Sequence, residues 1–192
     1  MQTVTTNVYS FNELSKESQK IAIEKERQYN YEHGEPLFFF DEYCNERAKG
    51  LDFYDCKFQW SISYCQGDGL SFSGRIDAND LILKCFPNIK KSVLNVLCNN
   101  ITIEIKGNTG HYTYAAKSDV DLWMDNYSRN EYNNIQIIVD ELKEYLEDIY
   151  IDLCNELEKE AYSWIESENE DASIIERIEA NNYKFTEDGK IF

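Results

Sequence analysis

Two short segments hold the residues whose chemistry is easiest to picture. Gln66-Gly67-Asp68-Gly69 sets a carboxylate between two glycines. Glycines let a backbone approach a phosphate or wrap a cation, and Asp68 could ligate one. A tight turn between two strands wants these same residues. No Lys-Ser/Thr follows them, so they do not form a phosphate loop. Gly110-His111-Tyr112 carries one of the chain's two histidines. An imidazole there could serve as a general base, or it could fill space at the end of a strand. No Ser, Cys or Asp motif of a known nucleophilic type lies near it, and no G-x-S-x-G occurs. Asp68 and His111 therefore stand together as a possible ligand site at two turns.

No catalytic residue is assigned. The 36 acidic residues make chance pairs common, so no glycosidase-like pair can be picked out. His33 and His111 lie far apart without paired-ligand spacing, which argues against zinc, and no other metal or cofactor is expected. The six cysteines, at 44, 56, 65, 85, 98 and 154, are scattered with no C-x-x-C, and read as reduced, mostly buried, small apolar residues.

The acidic residues are more telling than any motif. Thirteen fall between Asp140 and Asp171 against only Lys143 and Lys159, a local net charge of −11 within a total of −17. They read either as a solvated face or as a row of carboxylates offered to a basic groove, an imitation of a nucleic-acid backbone. The residues chosen for such partner contact are Glu144, Asp148, Asp152, Glu156, Glu158 and Glu160. Tyr127, Tyr132, Tyr145, Tyr150 and Tyr162 lie in or near the same segment, and tyrosine favours interfaces.

These residues need elements to hold them. A helix is expected from about Ser15, with Ser15 as N-cap, Leu14 as staple residue and Gly34 as stop. A second should begin at Pro36 and bury Leu37, Phe40, Cys44, Ala48 and Leu51 before Gly50 stops it. The period then changes to two. Phe58, Trp60, Ile62 and Tyr64, then Leu70, Phe72 and Ile76, predict a hairpin about the 66–69 turn. Residues 79–98 read as helix broken at Pro87. Ile101, Ile103 and Ile105 predict a strand, returning after 107–110 through Tyr112, Tyr114 and Ala116. Residues 118–130 read as irregular. A long helix follows from about Glu131 to Ile165, its stripe set by Ile135, Ile138, Leu142, Leu146, Ile149, Leu153, Leu157, Ala161 and Trp164. A short helix holds Ile174, Ile175 and Ile178, and Asp188-Gly189 predicts a closing hairpin.

The expected fold is therefore α+β: an antiparallel sheet of two hairpins, about four strands, packed by helices, with one long acidic C-terminal helix. No linker or repeat divides residues 1–192, so a single domain is expected. With 42% hydrophobic residues the chain can build a core. Nineteen basic against 36 acidic residues argue against direct nucleic-acid or anionic-membrane binding, and for a basic protein partner. No apolar run is long enough to span a bilayer and no secretory leader is seen, so the cytoplasm is the expected compartment.

Four segments, in order, resemble a family of small phage and plasmid proteins. They are FNELSKESQKIAIEKER, the hairpin SYCQGDGLSFSG, GHYTY, and LEKEAYSWIESENEDASIIERIEANNYKFTEDGKIF with its closing Tyr-x-Phe-Thr-Glu-Asp-Gly. That family is labelled as an antitoxin of a toxin–antitoxin stability system, or as a phage protein of unknown function. Cys65 stands where it usually has serine, so that position does not need a hydroxyl. The resemblance implies a mobile-element origin and an accessory role in the host cytoplasm, and it carries over no catalytic residue. The expected function is protein–protein binding, as an anti-defence inhibitor whose acidic face fills the basic groove of a nucleic-acid-handling host enzyme. The alternatives are an antitoxin-like neutraliser of a cognate toxin, and a small ligand-binding domain or enzyme with its site at the hairpin turns.

Overall fold

Where the sequence alternates with period two, the chain pairs. In the computed structural model, which describes residues 6–34, 36–108, 115, 118–124 and 132–192 (132–134 by backbone alone), four antiparallel strands form one sheet in the order β1-β2-β3-β4. They are β1 Phe53–Ser61, β2 Gly69–Ile76, β3 Ile101–Lys106 and β4 Asp119–Met124. Six α-helices accompany them among the described residues: α1 Lys16–His33, α2 Phe40–Lys49, α3 Ala78–Cys85, α4 Lys91–Asn100, α5 Tyr132–Glu168 and α6 Asp171–Ala180. The fold is α+β with a long C-terminal helix, as the sequence predicts. The chain falls into two compact units, one of residues 39–161 and one of 1–38 with 162–192.

The larger unit is built on the sheet. Phe58 faces Phe72 and Trp60 faces Leu70 across the first hairpin, so apolar residues meet apolar ones. β1 ends at Ser61, so Ile62 and Tyr64, expected in the strand, lie in a longer connection to β2. A bulge between Tyr54 and Lys57, with Asp55 at φ 52°, adds twist to β1. Phe40, Cys44 and Ala48 of α2 are fully buried. That helix starts at Phe40, and Pro36 belongs to the turn before it rather than to its first turn. Asp77 caps α3, accepting from the Asn79 and Asp80 amides at 2.8 and 3.1 Å. Pro87 separates α3 from α4, as expected.

The second hairpin differs from its prediction. The expected return strand, 112–116, lies outside the described residues but for Ala115. The strand that pairs with β3 is 119–124, expected to be irregular: Ile103 faces Leu122 and Ile105 faces Val120. Its own alternation explains it, since Val120 and Leu122 are buried between exposed Asp119, Asp121 and Trp123.

Between β2 and β3 the registered pairing is confined to Gly74 and Ile105. At Phe72 a side chain replaces the missing strand partner. The Tyr150 hydroxyl of α5 accepts from the Phe72 amide (3.0 Å) and donates to the Phe72 carbonyl (2.9 Å), with Ser118 Oγ also 2.9 Å away. The Tyr150 ring packs on Phe72, centroids 4.6 Å apart. Nearby Gly107 passes so close that a Cβ would stand 2.8 Å from the Phe72 carbonyl carbon.

The smaller unit packs Phe11, Leu14, Ala22, Ile23, Ile174, Ile178 and Phe185 together. Ser15 caps α1 as predicted, accepting the Ser18 amide at 3.1 Å. Tyr9 and Phe185 exchange backbone hydrogen bonds of 2.8 and 2.9 Å, and Phe185 bridges Ile191 across the predicted Asp188-Gly189 turn. Gly189 takes φ +76°, and a Cβ there would meet the Ser18 carbonyl at 2.3 Å.

Candidate functional site

Asp68 is drawn inward by its own turn. It is 6% exposed, and its carboxylate accepts from the Ser63 amide (2.7 Å), the Cys65 amide (3.0 Å), Ser63 Oγ (2.9 Å) and Ser61 Oγ (3.2 Å). Tyr64 takes φ 58° to let the loop fold over it. Cys65 Sγ also lies 3.2 Å from Asp68 Oδ1. A carboxylate with this many local donors has little capacity left for a ligand. Asp68 organises the β1–β2 connection, the turn role its sequence allowed. His111 lies outside the described residues.

The acidic face is carried by α5. Its buried stripe is Ile135, Val139, Leu142, Leu146, Tyr150, Leu153, Leu157, Ala161 and Ile165. Against the predicted stripe, Val139, Tyr150 and Ile165 replace Ile138, Ile149 and Trp164, each one residue on. An α-helix turns about 100° per residue, so this phase change moves Ile149 to the helix flank. It also makes Tyr150 an internal residue with no exposed surface, not a surface tyrosine offered to a partner.

The six chosen acids do not share one surface. Glu144, Asp148 and Asp152 are exposed at four-residue spacing. Among the described residues none of the three has a lysine or arginine within ion-pair distance. Glu156 and Glu160 continue the row but are tied to α2. Arg47 donates to Glu156 Oε2 at 2.6 Å and to Glu160 Oε1 at 2.5 Å. Its guanidinium carbon lies 5.9 Å from the Tyr43 ring centre, and Nη1 donates to the Tyr43 hydroxyl at 3.0 Å. A hydrogen bond to Glu160, followed by burial, raises the pKa of Tyr43. Glu158 points elsewhere, because two helical residues stand about 200° apart. Burial first, and the negative charge of Asp68 second, raise its pKa.

Beside the exposed row runs an open cleft of about 420 Å³ between α2 and α5, lined by Glu46, Arg47, Leu51, Ile149, Asp152 and Glu156 among others. No motif or spacing signals it. It depends on α2 lying along α5 and on the outward turn of Ile149, neither of which a one-dimensional pattern records.

All six cysteines are free. Only Cys44 and Cys154 are buried; Cys56, Cys85 and Cys98 are half-buried and Cys65 is exposed, against the expectation that most are buried. Burial pushes the thiols of Cys44 and Cys154 up to about 12 and that of Cys56 to about 11, which makes these three poor nucleophiles. No helix among the described residues is long and apolar enough to cross a membrane.

Compared with known proteins, the chain matches no family model, no curated protein and no solved structure.

Proposed function

We propose that the chain is a partner-binding accessory protein of a phage or other mobile element, of the kind its sequence resembles. Its exposed carboxylates occupy the basic groove of a nucleic-acid-handling host protein. One observation carries the reading: Glu144, Asp148 and Asp152 form an exposed row on α5 without cationic neighbours at ion-pair distance among the described residues. Like charges four residues apart on a helix cost about 0.2–0.5 kcal/mol per pair. A row of them is unfavourable for folding and favourable for meeting a basic surface.

Spacing refines the mechanism. Four-residue steps set the charges about 6 Å apart along the helix axis, against about 3.4 Å per phosphate along one DNA strand. A single helical row has roughly half that charge density, so mimicry needs a second row. Exposed Glu46 of α2, across the cleft from Asp152, begins one. Glu156 and Glu160 share the single positive charge of Arg47 and so contribute less than the acids without such a partner.

The test is a pull-down from host lysate with the native chain and with a Glu144→Lys, Asp148→Lys, Asp152→Lys variant, washed at about 0.05 M and about 0.5 M salt. The expected result is a basic protein that the native chain retains at low salt and releases at high salt, that the variant does not hold, and whose binding to nucleic acid the native chain blocks. A partner held equally by both proteins, or one whose nucleic-acid binding is untouched, overturns the proposal.

A further inference from the structure

Asp152 and Glu156 edge the cleft as well as the exposed row. The floor is apolar: Leu153 is buried, and Leu51 and Ile149 are partly exposed. The rim carries carboxylates, Glu46 on α2 and Asp152 and Glu156 on α5. An apolar floor beside acidic rims suits a side chain with an apolar stem and a cationic tip. The chain already shows the chemistry at one end of the cleft, where Arg47 lies against Tyr43 and pairs with Glu156 and Glu160. Glu46 and Asp152 remain as rim carboxylates with no lysine or arginine within ion-pair distance among the described residues. At about 420 Å³ the cleft is near the low end of ligand pockets. It is sized for side chains, not for a whole helix.

We infer that this cleft receives an arginine from a basic, amphipathic segment of the protein partner, with the stem on Leu51 and Ile149 and the guanidinium at Glu46 and Asp152. Arginine fits better than lysine because its planar fork can pair with carboxylates in two directions at once and is less strongly hydrated. The inference rests on the acidic-face reading and narrows it. The row attracts any basic surface, whereas the cleft selects one that also carries apolar groups. Specificity would then come from a site that bare charge cannot fill.

The experiment uses the full chain and two fluorescent probes, a synthetic peptide of leucine and arginine at helical spacing and an oligolysine of equal charge. Affinities are measured for the native chain, for Ile149→Gln and Glu46→Gln, and for a Glu144→Lys, Asp148→Lys double variant of the row. Circular dichroism confirms that each is folded, and Glu46, being exposed, keeps the test valid should Ile149→Gln unfold. The expected result is at least a tenfold loss of the leucine–arginine peptide for Ile149→Gln with oligolysine affinity nearly unchanged, a clearly larger loss of the leucine–arginine peptide than of oligolysine for Glu46→Gln, whose charge also belongs to the acidic face, and loss of both probes in the row variant. Cleft variants that change neither probe, or weaken both equally, overturn the cleft inference and leave the acidic face standing. Oligolysine binding that survives the row reversal overturns the acidic face itself, and failure of both probes to bind the native chain overturns both.

Discussion

The Tyr150 hydroxyl stands where a strand would ordinarily supply backbone partners, and this one oxygen answers both polar groups of Phe72. Tyr150→Phe keeps the ring packing and removes only that oxygen. It leaves a buried amide and a buried carbonyl unpaired, so a loss of about 1–3 kcal/mol is expected by urea denaturation. A loss below about 0.5 kcal/mol would mean that water or a strand shift replaces the hydroxyl. Glu26 makes a different test. It sits on α1 at 3% exposure, and burial raises its pKa while the positive charge of Arg177 opposes the rise. A raised folded pKa means that folding favours the neutral acid. The contribution is complete below the unfolded value, about 4.3, and is lost as pH rises through the higher folded value. Glu26→Gln cannot ionise. It should therefore match the native chain in thermal melts near pH 4 and exceed it by a few degrees near pH 7. A variant less stable at neutral pH would show that attraction to Arg177 outweighs burial. Neither role was legible in the sequence. Tyr150 read as one more surface tyrosine and Glu26 as one more acid, because hydrogen bonding and burial depend on what the fold brings alongside. Asp68 was legible, since Gly-Asp-Gly between two alternating runs is a turn signal and a turn is what it makes.

At the level of elements, α5 combines two opposed tendencies. Its buried stripe includes several large apolar side chains, each contributing about 1.5–3 kcal/mol on burial. Its exposed face sets Glu144, Asp148 and Asp152 at mutually repulsive spacing. Burial wins by a wide margin, so the helix forms in spite of its charges and the row can persist for another reason. Asp148→Asn removes two like-charge pairs and should stabilise the protein by about 0.4–1 kcal/mol at low salt, with the gain fading as salt is added. Chemical denaturation at two ionic strengths measures both. A destabilised variant would show that Asp148 has a favourable partner within the chain, and the row would lose its standing as an exposed binding surface. The existence of α5 was plain from its periodicity, while its phase was not. Ile138, Ile149 and Trp164 fit a three-and-four spacing as well as Val139, Tyr150 and Ile165 do, and only what packs against each stretch of the helix decides between them. The strand at 119–124 went unread for the converse reason. Val120 and Leu122 alternate over too short a run to stand out beside the stronger turn signal at 107–110.

For the molecule as a whole, the excess of 17 negative charges sets how stability responds to salt. Two terms oppose each other. Salt weakens attractive pairs such as Lys84–Asp52, 2.5 Å apart, and Arg177–Glu168, 2.7 Å apart. It also weakens repulsion among carboxylates that have no cation to meet. Exposed ion pairs are worth about 0–1 kcal/mol each and often nothing measurable. The repulsion is longer in reach, because at 0.01 M salt the screening length is about 30 Å and spans a small protein, whereas at 1 M it falls to about 3 Å. Repulsion therefore dominates at low ionic strength, and the melting temperature should rise as sodium chloride is added. A gain of about 1–2 kcal/mol, built from several like-charge helical pairs, corresponds to roughly 3–6 °C for a chain of this size. Choline chloride should act like sodium chloride if screening is the cause, and a rise with only one of them would point to a bound cation instead. A melting temperature that falls with salt would mean that the attractive pairs outweigh the surplus, and the acidic surface would then be neutralised internally and unable to present a charged face to a basic partner.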